Sequence, residues 1–70
     1  MKNKEIIFMV EESVDGGYEA RAAGFPIFTE GKTIDEVKSN IIEAVQSHFD
    51  EKDMPSLINI RFLKEEVIEL

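Results

Sequence analysis

Apolar and polar residues alternate through two segments in the first part of the chain, which predicts two strands. The first strand runs from Ile6 to Glu12, and both of its faces are largely apolar at the start. The second runs from Tyr18 to Ala23, where small alanines on one face leave room for a helix to lie over them. Asp15 and two glycines separate the segments, and such residues supply the positive φ angles of a tight hairpin turn. The pattern therefore predicts an antiparallel hairpin.

A short third strand and a helix are predicted next. The strand covers Ile27 to Thr29, since the preceding proline cannot donate to a ladder and fits a strand start or a sheet edge. Thr33 and Glu36 match a capping box, in which the Thr33 hydroxyl accepts from the Glu36 amide and the Glu36 carboxylate reaches back to the Thr33 amide. An apolar stripe at helical spacing predicts a helix that ends near Phe49 or Asp50; its members are Ile34, Val37, Ile41, Ala44, Val45 and His48 or Phe49.

The last part of the chain predicts a fourth strand. A polar connection with a proline runs from Asp50 to Ser56, and alternation resumes from Leu57 to Leu63. Residues 65–70 fit either a continued edge strand or frayed coil. The element order predicts an α+β fold, β-β-β-α-β: a three-stranded antiparallel meander, one amphipathic helix as a right-handed crossover, and a fourth strand, with sheet order 3-2-1-4. One helix cannot cover both sheet faces, so a second copy or another protein is expected on the bare face.

Composition narrows the classes of function. The 70 residues are expected to form a single domain, residues 1–70; the chain has no cysteine and one histidine, which excludes disulfides and cysteine zinc sites. The net charge of −7 disfavours direct nucleic-acid binding and would attract a basic partner, although it would also simply keep a small protein soluble. No apolar run reaches the roughly 20 residues of a membrane span, and no segment reads as a signal peptide, so a cytoplasmic protein without membrane contact is expected.

No catalytic, cofactor or metal site is predicted from the residues. The paired glycines lack the spacing and the following helix of a nucleotide-binding loop. His48 is followed closely by acidic residues, but it could hold a metal only with help from another chain, and the dipole at a helix end explains a histidine there. A nuclease carboxylate cluster would need an acid on the last strand, and Ile58 to Leu63 contains none.

The stretch IIFMVEESVDGGYEARAAGFPIFTEGKTIDEVKSNIIEAV, residues 6–45, resembles the N-terminal domain of HicB-family antitoxins. The likeness lies in the first strand, the acidic turn with DGGY, the FTEGKT entry and the helix opening IDEVKSNIIEA. The HFDE segment and the final IRFLKEEVIEL resemble a short, single-domain branch of that family. Proteins of this branch are sometimes labelled subunits of 2-oxoisovalerate dehydrogenase, but this chain is far too small and has no thiamine diphosphate motif.

The resemblance implies a partial ribonuclease H-like fold without catalysis, which binds and blocks a small basic toxin that cleaves mRNA. Many relatives add a C-terminal DNA-binding domain, and none is expected here because the sequence stops after its last strand. We expect a homodimer or higher homo-oligomer whose partner-binding residues lie on the first strand and its turn: Ile7, Met9, Glu11, Asp15 and Tyr18. The alternative is a stand-alone homo-oligomeric structural or regulatory module, able to bind a small ligand and without a toxin partner.

Overall fold

The computed structural model describes residues 4–64 and 66–70. Within these ranges the chain forms four strands, an α-helix and one turn of 3-10 helix. Their bounds in chain order are β1 Glu5–Glu12, β2 Tyr18–Ala22, β3 Phe28–Gly31, α1 Ile34–His48, the 3-10 turn Glu51–Asp53 and β4 Leu57–Phe62.

The four strands form one sheet in the order β3-β2-β1-β4. β1 pairs antiparallel with β2 and parallel with β4, while β2 pairs antiparallel with β3. This confirms the predicted α+β class, the meander and the 3-2-1-4 order. β3 and β4 are the edge strands of the sheet, and the helix connects them.

The core lies between α1 and one face of the sheet. Phe8, at the centre of β1, is completely buried. The predicted role of the alanines is confirmed, since Ala20 and Ala22 are buried beneath the helix. The remaining buried residues alternate along β1, recur every four residues in α1 or precede β3: Ile6, Val10, Val37, Ile41, Val45 and Ile27.

The predicted bounds of the second and third strands need correction. β2 ends at Ala22, and β3 begins at Phe28 and continues to Gly31. Ile27 stands before β3 and is buried, and its carbonyl accepts a hydrogen bond from the Ala22 amide at 3.0 Å. The strand is displaced along the chain because the bend from Ala23 to Pro26 consumes more residues than the alternation pattern indicates.

The helix begins and ends almost as the sequence predicts. The Thr33 hydroxyl accepts from the Glu36 amide at 3.0 Å, which is the expected cap. The Glu36 carboxylate, however, accepts from the Lys32 amide rather than from that of Thr33, so this half of the predicted capping box is wrong by one residue. At the other end, the Phe49 amide donates to the Val45 carbonyl at 3.2 Å and closes the helix.

Two glycines allow the backbone to pack closely where β3 passes into α1. A Cβ atom on Gly31 would lie 2.6 Å from the Val37 backbone nitrogen and 2.9 Å from the Val37 Cα. A Cβ on Gly17 would lie 2.9 Å from the carbonyl oxygen of Gly31. No side chain fits at such separations, so the hairpin end, β3 and the first helical turn come into direct backbone contact.

The helix lies on the β2 and β3 side of the sheet, and β4 is less well covered. Asn40 on α1 donates to the Glu30 carbonyl of β3 at 2.7 Å. On β4, by contrast, Phe62 is 49% exposed. Residues 66–70 follow without regular secondary structure, and Val67, Ile68 and Leu70 are at least 80% exposed. An edge strand and coil are both predicted for residues 65–70. Residues 66–70 are coil, and Glu65 lies outside the described residues.

Candidate protein-binding surface

The face of the sheet opposite α1, called here the open face, carries no helix. Strand neighbours in register point to the same side of a sheet, so the pairing identifies the members of this face. Ile7, Met9 and Glu11 stand on its central strand. The flanking strands add Glu19, Arg21, Phe28, Glu30, Leu57, Asn59 and Arg61.

Three glutamates stand side by side across the open face. Glu11 is the register partner of Glu19, and Glu19 is the register partner of Glu30. We call these three residues the acidic row. Like charges directly opposite one another on neighbouring strands are destabilising. The Arg21 guanidinium lies 3.2 Å from the Glu11 carboxylate and offsets part of this repulsion, but the row keeps a net negative charge.

An apolar strip adjoins the acidic row. Met9 and Ile7 are half-buried on β1, and Phe28 on β3 is 60% exposed. Arg21 is the register partner of both Met9 and Phe28, and Arg61 flanks Met9 from β4. The open face therefore combines exposed apolar area with a negative end, and both arginines lie on the apolar strip.

The five predicted contact residues divide between two places. Ile7, Met9 and Glu11 come together on the open face. Asp15 and Tyr18 line a cleft of about 490 Å³ at the end of the β1–β2 hairpin, where Tyr18 is the register partner of Gly31 on the side of the sheet that faces α1. The remaining lining residues include Ser13, Glu30, Lys32, Glu36 and Asn40.

Asp15 is held as a carboxylate by the hairpin turn. The Ser13 hydroxyl donates to Asp15 Oδ1 at 2.7 Å. This hydrogen bond, together with the backbone N–H groups of Asp15 and Gly17, lowers the pKa of the Asp15 carboxyl below its usual range, because each favours the charged form. The turn itself is closed by the Ser13 amide, which donates to the Gly17 carbonyl at 2.8 Å.

The lowered pKa of Asp15 gives the turn a predictable pH dependence. The ionised carboxylate stabilises the fold fully above its unfolded-state pKa of about 3.9, and this contribution is lost as the pH falls through the lower folded-state value. We expect Asp15→Asn to lower Tm at pH 7, and the difference from the parent protein to shrink at pH 3. Thermal melts at the two pH values measure this, with Glu43→Gln as the control for losing one exposed carboxylate. An equal deficit at both pH values would contradict the interpretation.

The five predicted contact residues include none of the seven that the flanking strands add to the open face, among them Glu19, Phe28 and Glu30. Alternation along the second strand places Glu19 on the same side as Arg21, which was the available signal. What alternation cannot supply is register, and only the observed pairing of Glu11, Glu19 and Glu30 reveals a continuous row.

His48 packs among aromatic rings at the end of α1. Its ring centroid lies 4.8 Å from that of Phe49 and 6.3 Å from that of Phe25, both in edge-on arrangements. This supports the structural interpretation of the histidine over a metal-binding one. Across residues 4–64 and 66–70, no group of three or more His, Cys, Asp or Glu side chains is arranged to hold a metal ion. None of the helices in those ranges has the length and apolar character that crossing a membrane requires.

The fold and this surface define a small α+β protein with one helix-covered and one bare sheet face. The chain is 43% identical over 65 residues to a UPF0150 protein of Thermotoga maritima, an alignment that covers 93% of this chain and 91% of the relative. It is 46% identical over 52 residues to a UPF0150 protein of Archaeoglobus fulgidus, covering 74% and 77% of the two chains. The protein thus belongs to the UPF0150 family. No family model matches the chain, and no solved structure matches it.

Proposed function

We propose that this UPF0150 protein is a non-enzymatic protein-binding module of the HicB antitoxin type, which acts in the cytoplasm as a homodimer and masks a small basic toxin that cleaves mRNA. The acidic row is the observation that carries the proposal. Adjacent like charges cost folding stability, and a sequence that keeps them gains a surface suited to a basic partner. The resemblance to HicB antitoxins supplies the kind of partner.

The open face suits a partner that has both positive charge and apolar area. The overall charge of −7 attracts a basic protein over distance, and the acidic row sets its orientation on contact. Phe28 and Met9 then supply apolar area that leaves water when the partner docks. A toxin whose RNA-binding lysines and arginines lie against the acidic row cannot bind RNA phosphates at the same time, and this competition is the proposed mechanism of neutralisation.

Affinity capture from a lysate of the native host tests this proposal. The tagged protein is used as bait at 0.05 M and 0.5 M salt, and captured proteins are identified by mass spectrometry. We expect a small basic protein whose recovery falls at high salt, because exposed charge pairs are screened. The captured protein is then purified and assayed for RNA cleavage, which an equimolar amount of the bait should suppress. A captured protein that does not cleave RNA, or recovery of the bait alone, would contradict the proposal.

The cleft at the hairpin end favours the second candidate, a homo-oligomeric regulatory module that binds a small ligand. Its volume of about 490 Å³ is within the range of small-molecule sites, and it brings Asp15, Tyr18, Lys32 and Asn40 together. A ligand that raises Tm in proportion to its concentration, in a protein that captures no partner, would support this candidate over the toxin-binding one.

A further inference from the structure

The β3 edge of the sheet is already in use by the helix. The Ile27 carbonyl accepts from the Ala22 amide, so the backbone of Ile27 points toward β2. Phe28 and Glu30 alternate with Ile27, so their N–H and C=O groups point outward. The Glu30 carbonyl accepts from the Asn40 side-chain amide at 2.7 Å, which places α1 against this edge. β3 is also only four residues long, so it offers little backbone to another strand.

The β4 edge is longer and open. The Leu63 amide donates to the Val10 carbonyl at 2.8 Å, so odd-numbered residues in this part of the chain direct their backbone toward β1. Within residues 66–70, which are coil, Val67 and Ile68 are 84% and 80% exposed, so this part of the chain does not cover the edge. The outward N–H and C=O groups of β4 belong to its even-numbered residues, Ile58, Ile60 and Phe62.

Residues 57–63 carry few of the features that keep an edge strand from pairing. Natural edges are protected by proline, by bulges or by charged side chains. The segment reads LINIRFL, with no proline and with Arg61 as its one charged residue. Its register with β1 is unbroken from Leu57 to Phe62. Leu57, Phe62 and Leu63 are about half exposed, at 55%, 49% and 48%. An apolar and uninterrupted edge of this kind readily pairs with a strand of another chain.

We propose that two copies of the chain pair their β4 strands antiparallel about a two-fold axis at Ile60, which joins two four-stranded sheets into one. All the paired residues lie within 57–63. The inference rests on the homodimer part of the proposed function and identifies the surface that forms the homodimer. It holds whether or not the basic partner is a toxin.

The segment matches itself in this register, which identifies the occupant of the edge as a second copy. Residues at equal distances from Ile60 lie opposite each other, and apolar residues meet apolar residues while polar residues meet polar ones. The four kinds of pair are Ile60 with Ile60, Ile58 with Phe62, Leu57 with Leu63, and Asn59 with Arg61. Moving the axis by one residue would place Arg61 either against itself or against Leu57, and both arrangements are unfavourable.

Arg61 of each copy meets a polar pair in the other copy. The Asn59 side-chain Nδ2 donates to Glu5 Oε2 at 2.8 Å, which leaves Asn59 Oδ1 as an acceptor. Because Arg61 of the second copy stands opposite Asn59, its guanidinium can donate to this oxygen. The negative charge of Glu5 beside the amide favours a cation there. The two-fold axis repeats the contact, so both arginines are matched.

Both faces of the sheet gain apolar cover from the same pairing. Ile58 and Ile60 are half-buried on the α1 side, where they pack against the core, and Phe62 extends this row into solvent. Phe62 of one copy lies opposite Ile58 of the other, so each covers the other. On the open face, Leu57 and Leu63 do the same. Apolar side chains that are half exposed in one copy therefore leave water in the assembly.

Cysteine substitutions test the register, because the chain has no cysteine of its own. Opposed residues of an antiparallel pair have Cα atoms about 4.5–5.5 Å apart, which suits a disulfide, whereas residues offset by two positions are about 7–8 Å apart. Ile60→Cys should therefore crosslink with itself on mild oxidation. Asn59→Cys and Arg61→Cys should each stay uncrosslinked alone and crosslink when mixed. Gln46→Cys, at an exposed position on α1, is the control that should not crosslink. Non-reducing gel electrophoresis measures all four.

Charge substitutions at the axis test whether the pairing holds the dimer together. We expect the parent to be a dimer by sedimentation equilibrium at about 0.15 M salt. Ile60→Lys and Ile60→Glu each place like charges opposite one another, so each alone should raise the dimer dissociation constant about 100-fold. An equimolar mixture brings opposite charges together and should restore the dimer. Circular dichroism shows whether both variants fold, and the cysteine variants decide the question if they do not.

Each contrary result has a distinct meaning. A dimeric parent whose Ile60→Cys variant does not crosslink overturns the inference and assigns the homodimer to another surface. Crosslinking of Asn59→Cys with itself overturns the register. Crosslinking of Ile60→Cys to the captured basic protein instead of to itself assigns the edge to that partner and also overturns the inference. A monomeric parent overturns the homodimer itself. Whether the captured protein cleaves RNA is decided separately, by the affinity capture.

Discussion

Replacing Glu19 with lysine should weaken binding of the proposed basic partner while making the protein more stable. Glu19 stands at the centre of the acidic row, so the substitution converts two repulsive neighbours into two attractive ones. Each cross-strand pair contributes about 0.2–1 kcal/mol, so the free energy of unfolding should rise by about 0.5–2 kcal/mol. The same change places a positive charge in the middle of the surface that is proposed to receive a basic protein. We expect the dissociation constant of the complex with the basic partner to rise by about 100-fold, which corresponds to roughly 3 kcal/mol.

Titration calorimetry with the captured partner and urea denaturation of the free protein measure the two effects. Glu43→Lys is the matched control, because it makes the same charge change at an exposed position on α1, away from the open face. It should alter the dissociation constant by less than about fivefold and stability by less than about 0.5 kcal/mol. If Glu19→Lys binds the partner as the parent does, the open face is not the binding surface. If the variant is less stable, the acidic row carries no repulsion.

Gly31→Ala should be among the most destabilising single-methyl additions in the chain. The new Cβ would lie within 3 Å of backbone atoms of Val37, and backbone in the first helical turn cannot move aside as a flexible side chain can. Overpacking of this kind costs about 1–3 kcal/mol and sometimes more. A chain of this length is stabilised by about 4–10 kcal/mol in total, and the loss should lower Tm by about 4–24 °C.

Gly16→Ala separates the effect of crowding from that of glycine backbone freedom. Gly16 has a φ of +97° but nothing within 4 Å of an added Cβ, so its substitution is penalised only by conformation, at about 1 kcal/mol. Urea denaturation of both variants should show the larger loss for Gly31→Ala. The reverse order would mean that β3 and α1 separate readily, and that their close contact contributes little to stability.

Local patterns in the sequence were enough to predict the elements and their order. Alternation at Ile6, Phe8 and Val10 and helical spacing at Val37, Ile41 and Val45 reflect which side chains must leave water, and those residues form the core. The small size of Ala20 and Ala22 correctly indicated where the helix would lie. Such signals depend only on residues that are near one another in the sequence, so they can be recognised without knowledge of the fold.

Properties that depend on strand register and on loop geometry could not be predicted from the sequence. The alignment of Glu11, Glu19 and Glu30 follows from how many residues two turns consume, and a shift of one residue would have moved Glu30 to the other face. The number of residues in the bend before β3 is equally hard to predict, and for that reason the predicted third strand starts one residue too early. Met9 and Tyr18 are both predicted contact residues of the first strand and its turn, but the pairing places them on opposite sides of the sheet, so Tyr18 lines the hairpin cleft instead.

The parallel pairing of β1 with β4 has a consequence for the order of events during folding. The β1–β2 hairpin closes over a short loop, whereas Ser56 beside β4 bonds to Lys4 across a separation of 52 positions. Loop closure of that length is entropically costly and slow, so the hairpin and helix can form while the central strand still lacks its second neighbour. On the ribosome, this strand must wait until the chain has been made through β4, and for that interval its bare edge is open to capture by other nascent chains.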